Sequence, residues 1–159
     1  LHTPGRFVRA LQEMTEGYRQ DPKDILDRVF DEQCDEMVIV RGIPFVSLCS
    51  HHLLVFSGTV DIGYLPGGGK VVGLSKLGRL VDCFSKRLQL QERMTRQIAE
   101  AIEEHLKPSG VAVVVRGEHS CMGCRGVRKP GVEMVTSAML GTMRSEPSAR
   151  AEFLALCRS

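Results

Sequence analysis

Cys49-Ser-His-His52 places a thiol and two imidazoles within one short run, and His119-Ser-Cys121-Met-Gly-Cys124 adds a third imidazole and two more thiols. Thiolate sulfur and imidazole nitrogen are the donors that a borderline-soft ion such as zinc prefers. Three of the five histidines and three of the six cysteines fall in these two windows, a concentration that scattered core residues would not produce. Two geometries are open. Cys49, His52, Cys121 and Cys124 together would close a structural site with four protein ligands, and spacing alone slightly favours it. Alternatively Cys49, His52 and Cys121 are the only ligands, and the fourth position holds a water acidified toward neutral pH. His51 and His119 speak for the open site: a sealed ion has little use for them, whereas an activated water needs proton carriers beside it.

A second constellation suits an anion. Ser75, Lys76 and Arg79 fall on the first turn of a predicted helix, where free backbone N–H groups and the helix dipole already favour phosphate. Arg125 and Arg128 follow the second metal window, and Arg6 and Arg9 form an i, i+3 pair. Each of these alone is an ordinary solvated face; their association with the metal windows is what raises them. Gln91-Glu92 sets an amide beside a carboxylate at a helix start, and a carboxylate can accept from two N–H donors on a guanine edge.

The elements that must position these groups are legible from periodicity. Thr3-Pro4 caps a helix carrying Phe7, Leu11 and Met14 until Gly17, and Asp21-Pro22 starts a short helix through Leu26 and Val29. Residues 36–41 and 43–48 read as strands, so Cys49 lies at a strand end. Residues 53–65 are extended. Pro66 with three glycines reads as a hairpin turn before Val71 and Val72, since no Gly-Lys-Ser/Thr follows to make a phosphate loop. Ser75 caps a helix through Leu77, Leu80, Val81 and Phe84, and Gln91 opens another through Met94, Ile98, Ile102 and Leu106. Val111 to Val115 is a buried strand whose continuation, by alternation, puts His119 and Cys121 on one face. Residues 132–140 supply its hairpin partner, and a last helix starts at Ser145-Glu-Pro147. The result is an α+β domain with a largely antiparallel sheet and helices on one face.

With 159 residues, one domain spanning 1–159 is expected. A formal net charge of +2 demands neither nucleic acid nor an anionic membrane surface. No apolar run has the length of a membrane helix, and Leu1 to Arg6 does not resemble a secretory signal, so a cytoplasmic protein is the default. In a reducing compartment the cysteines serve as metal ligands or buried thiols.

Cys49-Ser-His-His-Leu-Leu, Ile62-Gly-Tyr-Leu-Pro66, Gly73-Leu-Ser-Lys-Leu-Gly-Arg79, Gln89-Leu-Gln-Glu-Arg-Met-Thr95, His119-Ser-Cys121 and Arg125-Gly-Val-Arg128, in this order, closely resemble GTP cyclohydrolase I. The resemblance runs from Thr3-Pro4 through Glu152-Phe153-Leu154. It implies a tunnelling fold (T-fold): an antiparallel sheet with two long helices on one face plus N-terminal helices, assembled into a homo-oligomer, typically a decamer, with active sites between subunits. It implies zinc on Cys49, His52 and Cys121, with Cys124 not a ligand, and GTP as substrate. His51 and His119 correspond to proton-transfer groups for hydrolytic opening of the imidazole ring at C8, loss of formate, and reclosure to 7,8-dihydroneopterin triphosphate. Gln91 and Glu92 correspond to guanine-holding residues, Ser75, Lys76, Arg79 and Arg125 to triphosphate or ribose contacts, and Arg6 and Arg9 to contacts on a neighbouring subunit's triphosphate. Where the family usually has Glu, Pro and a Met or Ala, this chain has Ser50, Val55 and Cys124. Relatives usually have a helix before the one at Thr3-Pro4. A T-fold enzyme acting on another purine, or stopping at a ring-opened intermediate, is the nearest alternative. A noncatalytic zinc-stabilised module closed by Cys124 is the more distant one.

Overall fold

The computed structural model describes residues 1–158; Ser159, the last residue of the expected domain, lies outside them. Helix α1 (Thr3–Met14) carries Pro4 in its first turn, where a missing N–H leaves no helical bond unmade. Its apolar face is largely open among the described residues: no residue of α1 is fully buried, Leu11 and Met14 are half-buried, and Phe7 is 62% exposed. After a 3-10 turn at Glu16–Arg19, the Asp21 carboxylate accepts the N–H of Lys23 and caps the single turn α2 (Pro22–Ile25). The helix expected to reach Val29 stops there, and Val29–Asp31 is a short strand, β1.

The two strands expected at 36–41 and 43–48 are one, β2 (Val38–Cys49). It bends at Gly42, whose φ of 68° suits glycine, and its register against β3 (Val55–Leu65) shifts between Val40 and Ile43. The glycine turn after Pro66 leads to β4 (Lys70–Val72), which does not fold back on β3 as the expected hairpin would; it pairs antiparallel with β1. Then come α3 (Leu74–Ser85), β5 (Leu88–Gln89), α4 (Gln91–Leu106), β6 (Gly110–His119), the one-turn α5 (Ser120–Gly123), β7 (Glu133–Gly141), the one-turn α6 (Thr142–Ser145) and α7 (Pro147–Leu156). The main sheet has the order β5-β2-β3-β6-β7 and is antiparallel except for the short β2–β5 pairing.

Alternation along β3 and β6 builds two cores. Val60, Ile62 and Tyr64 with Val111, Val113 and Val115 face Leu77, Leu80 and Val81 of α3 and Met94, Ile98 and Ile102 of α4. The two long helices thus share one face, as expected. Ala112 and Val114 point the other way, against Met143 and Phe153, so α7 covers the reverse face. That placement was not foreseen: its signal is Gly63, where a Cβ would come within 2.6 Å of the Phe153 ring. On the same reverse face, buried Asp61 accepts the Gly42 N–H at 2.8 Å and an N–H of Arg116, tying the β2 bend to the sheet.

Candidate metal centre and substrate cleft

Cys49 ends β2, and the loop that follows is tight. Cys49 donates its N–H to Leu54 at 2.9 Å, its carbonyl accepts from Leu53 at 2.8 Å, and Leu53 takes φ 55° to close the turn. A leucine in the left-handed region costs roughly 1–2 kcal/mol, and strain of this kind collects at functional sites. The parallel pairing of Cys49 with Gln89, together with the Ser50 N–H donated to the Gln89 carbonyl at 2.9 Å, clamps the base of the loop. Two residues after Gln89, α4 begins with Gln91 and Glu92, so one short strand sets the helix start beside the metal loop.

Cys121 arrives by another route. Alternation along β6 does not place it, because the strand ends at His119 and Cys121 sits on the helical turn α5. This corrects the expectation that both residues share a strand face. The ligand atoms of Cys49, His52 and Cys121 nonetheless lie within 4.8 Å of one another, with the Cys49 Sγ to His52 Nδ1 distance 3.9 Å. Zn–S of about 2.3 Å and Zn–N of about 2.0 Å put tetrahedral donors roughly 3.5–3.8 Å apart, so two thiols and an imidazole at these separations fit such an ion with little movement. Cys124 is exposed and is not part of this group among the described residues. Among the described residues the group that could hold a metal thus offers three donors. Without an ion, burial pushes the Cys121 thiol up first, and the neighbouring Cys49 pushes it further; a bound cation reverses that balance.

His119 stands directly opposite Phe56 in the β3–β6 ladder, and the rings stack with centroids 4.5 Å apart and planes 5° from parallel. Burial lowers the His119 pKa from its ordinary value, partly offset by the charge of Glu92. His119, Ser120, Cys124 and Ser57 line an open cleft of about 420 Å³, within the range of small-ligand sites. His51 is exposed on the metal loop, its ring centroid 6.0 Å from that of His52.

The remaining site residues divide. Glu92 is exposed on the first turn of α4, whereas Gln91 is buried, its side chain engaged by Val115, Met134, Thr136 and His119. Ser75 does not cap α3: Gly73 holds that position and Ser75 is the second helical residue. Lys76 donates to Asp27 at 2.9 Å, and Arg79 is exposed on the same helix. Arg125 follows α5, close enough to bear on the Cys121 thiol. Arg6 and Arg9 are exposed on α1. Sequence reasoning missed Phe56, which faces His119 across the β3–β6 ladder, and Thr136, which meets Gln91 and Thr95 of α4; only the strand register and the packing of α4 on the sheet reveal them.

No helix among the described residues is long and apolar enough to cross a membrane. Residues 1–158 match the family model "GTP cyclohydrolase I". GTP cyclohydrolase 1 of Janthinobacterium sp. (strain Marseille) is 56% identical over 159 residues, covering 98% of this chain and 79% of that protein. The human GTP cyclohydrolase 1 is 54% identical over 160 residues, and there the match spans 100% of this chain but 64% of the human protein. Among solved structures, the archaeosine synthase QueF-Like in the apo form superposes with a TM-score of 0.55 at 24% identity, over 66% of this chain and 93% of that one. At that identity the likeness shows the fold alone, the T-fold. With the three-donor metal group, the stacked histidine and a family match that runs almost end to end, the chain belongs to the GTP cyclohydrolase I family.

Proposed function

We propose that this chain, acting as one GTP cyclohydrolase I-like unit, converts GTP to 7,8-dihydroneopterin triphosphate by hydrolytic opening of the imidazole ring at C8, release of formate, rearrangement of the ribose and reclosure. The observation that carries the reading is the gathering of Cys49, His52 and Cys121 within 4.8 Å, close in the chain to the cleft-lining His119. A zinc ion held by these three residues would supply a Lewis acid with an open position for water. His119, whose pKa burial lowers, lines the cleft where a proton must be exchanged, and exposed His51 can pass one to or from solvent. Glu92 accepts the N–H donors of the guanine edge. Gln91, buried with both ends of its amide engaged, acts from behind the pocket wall. The α3 start with Ser75, Lys76 and Arg79, together with Arg125, meets the triphosphate and ribose, Lys76 exchanging Asp27 for a phosphate oxygen.

Arg6 and Arg9 complete the site of a neighbouring copy in a homo-oligomer, which we take to be a decamer. Two features support self-association. The start of α1's apolar face, Phe7, is exposed, and β5 pairs with only Leu48 and Cys49 of β2 among the described residues, so much of that strand's outer edge is open while β7 ends the sheet on the other side. The reaction is assigned to the cytoplasm, where the ligand thiols stay reduced. No nucleic acid or membrane partner is invoked.

The zinc-loaded protein incubated with GTP is expected to release formate and yield a pterin that fluoresces after oxidation. Absence of both products overturns the proposal. Ser50 and Val55 in and beside the metal loop give a second reading, an enzyme that stops at a ring-opened intermediate or takes another purine, and the mass of the product separates the two.

A further inference from the structure

We infer that Gln91 is a positioning residue that fixes the tautomer of His119, holding a proton on Nε2 so that Nδ1 is the ring nitrogen that exchanges protons during turnover. The inference deepens the cyclohydrolase reading and rests on it for the words "during turnover", while the tautomer itself follows from hydrogen-bond accounting alone.

The accounting starts at Thr95. Its hydroxyl donates to the backbone carbonyl of Gln91 at 2.7 Å, so the single hydroxyl proton is committed. In the 2.7 Å contact between the Thr95 and Thr136 hydroxyls, Thr136 must then be the donor. With its own proton committed, the Thr136 oxygen can only accept from the Gln91 side chain, 3.2 Å away. The carbonyls of Val115 at 3.1 Å and Met134 at 2.8 Å are acceptors by nature. Three acceptors therefore surround one end of the Gln91 amide, and that end is Nε2. A flipped amide would set an oxygen against all three, inside a side chain that is 0% exposed, where unmatched polar contacts are most costly. The other end, Oε1, lies 2.9 Å from His119 Nε2. Oxygen can only accept, so Nε2 carries the proton, and in the neutral imidazole the lone pair is on Nδ1.

Two further features hold the arrangement. The Phe56 ring lies flat against the imidazole, so the ring cannot swing without losing the stack. Gly117 leaves room for the amide oxygen: a Cβ there would come within 2.5 Å of Oε1. A neighbour that sets which imidazole nitrogen is protonated governs catalysis without touching substrate, and the wrong tautomer in such an arrangement can cost orders of magnitude in rate.

The test reads the tautomer directly. In zinc-loaded protein labelled with 15N-histidine, at about pH 8 where an imidazole is neutral, the His119 ring, assigned by its loss in His119→Ala, should show Nε2 bonded to hydrogen and Nδ1 unprotonated. An Nδ1–H ring overturns the inference. Gln91→Leu and Gly117→Ala, each checked for zinc content and native melting, should lower kcat for GTP by about tenfold or more with KM changed less than about twofold. A rise in KM at unchanged kcat would instead put Gln91 on the guanine edge and also overturns it. If Gln91→Leu fails to fold, the wild-type spectrum still decides. If the wild type leaves GTP untouched, the proposed reaction falls while the spectrum continues to test the tautomer.

Discussion

His119 lies face to face on Phe56, one rung of the β3–β6 ladder supplying both rings at a centroid distance of 4.5 Å. The pair joins core to site, since Phe56 is 1% exposed while His119 borders the cleft. Phe56→Leu keeps an apolar side chain but removes the flat surface. It should lower unfolding stability by about 1–3 kcal/mol in denaturant titration and lower GTP turnover by about tenfold through a freer imidazole.

Zinc should bind to three residues and not four. Cys49→Ser or Cys121→Ser should each cut zinc retention after dialysis by at least about a hundredfold in affinity, whereas Cys124→Ser should keep a full complement. Because the Cys121 thiol is pushed up by burial and by Cys49, loading the metal-free protein at neutral pH should release protons, and lowering the pH should expel the ion. Calorimetry in buffers of different ionisation enthalpy measures that release.

Asp61 joins Gly42 and Arg116 on the reverse face of the sheet. Asp61→Ala leaves the half-buried guanidinium without its carboxylate and the bend of β2 without its acceptor. The loss should be about 3 kcal/mol by chemical denaturation. Zinc content should be unaffected, because the pair faces away from the metal loop.

Cys157, at the end of α7, gives the alkaline limit. Burial, and then the charge of Asp61, push its thiol from 9.0 up to about 11. A pKa raised on folding adds stability that is fully present below the unfolded value and is lost as pH rises through the folded one. Melting temperature should therefore fall between about pH 9 and pH 11, and Cys157→Ala should flatten that slope.

Periodicity located α1, α3, α4, β3, β6 and β7, because a long helix or strand repeats its burial every 3.6 or 2 residues whatever lies opposite. It failed where the partner decides. Pro66 to Gly69 looked like a hairpin turn, but β4 pairs with β1, whose three residues carry no pattern of their own. Ser75 looked like a cap, but the cap is Gly73, two residues earlier, and cap position depends on the path by which the chain enters.

The sequence by itself determined the donor chemistry: thiols and imidazoles clustered in two windows, with cations and a carboxylate at helix starts. Residue type sets what an atom can bind, and that survives any fold. Only the tertiary structure decided which donors meet. Cys124, equal to Cys121 in type, stays outside the group: it is exposed beyond the turn after β6, while Cys121 is half-buried beside Cys49. Gln91 and Glu92, adjacent in sequence, part at the first turn of α4, where successive side chains point about 100° apart. One is sealed behind His119 and the other opens to solvent.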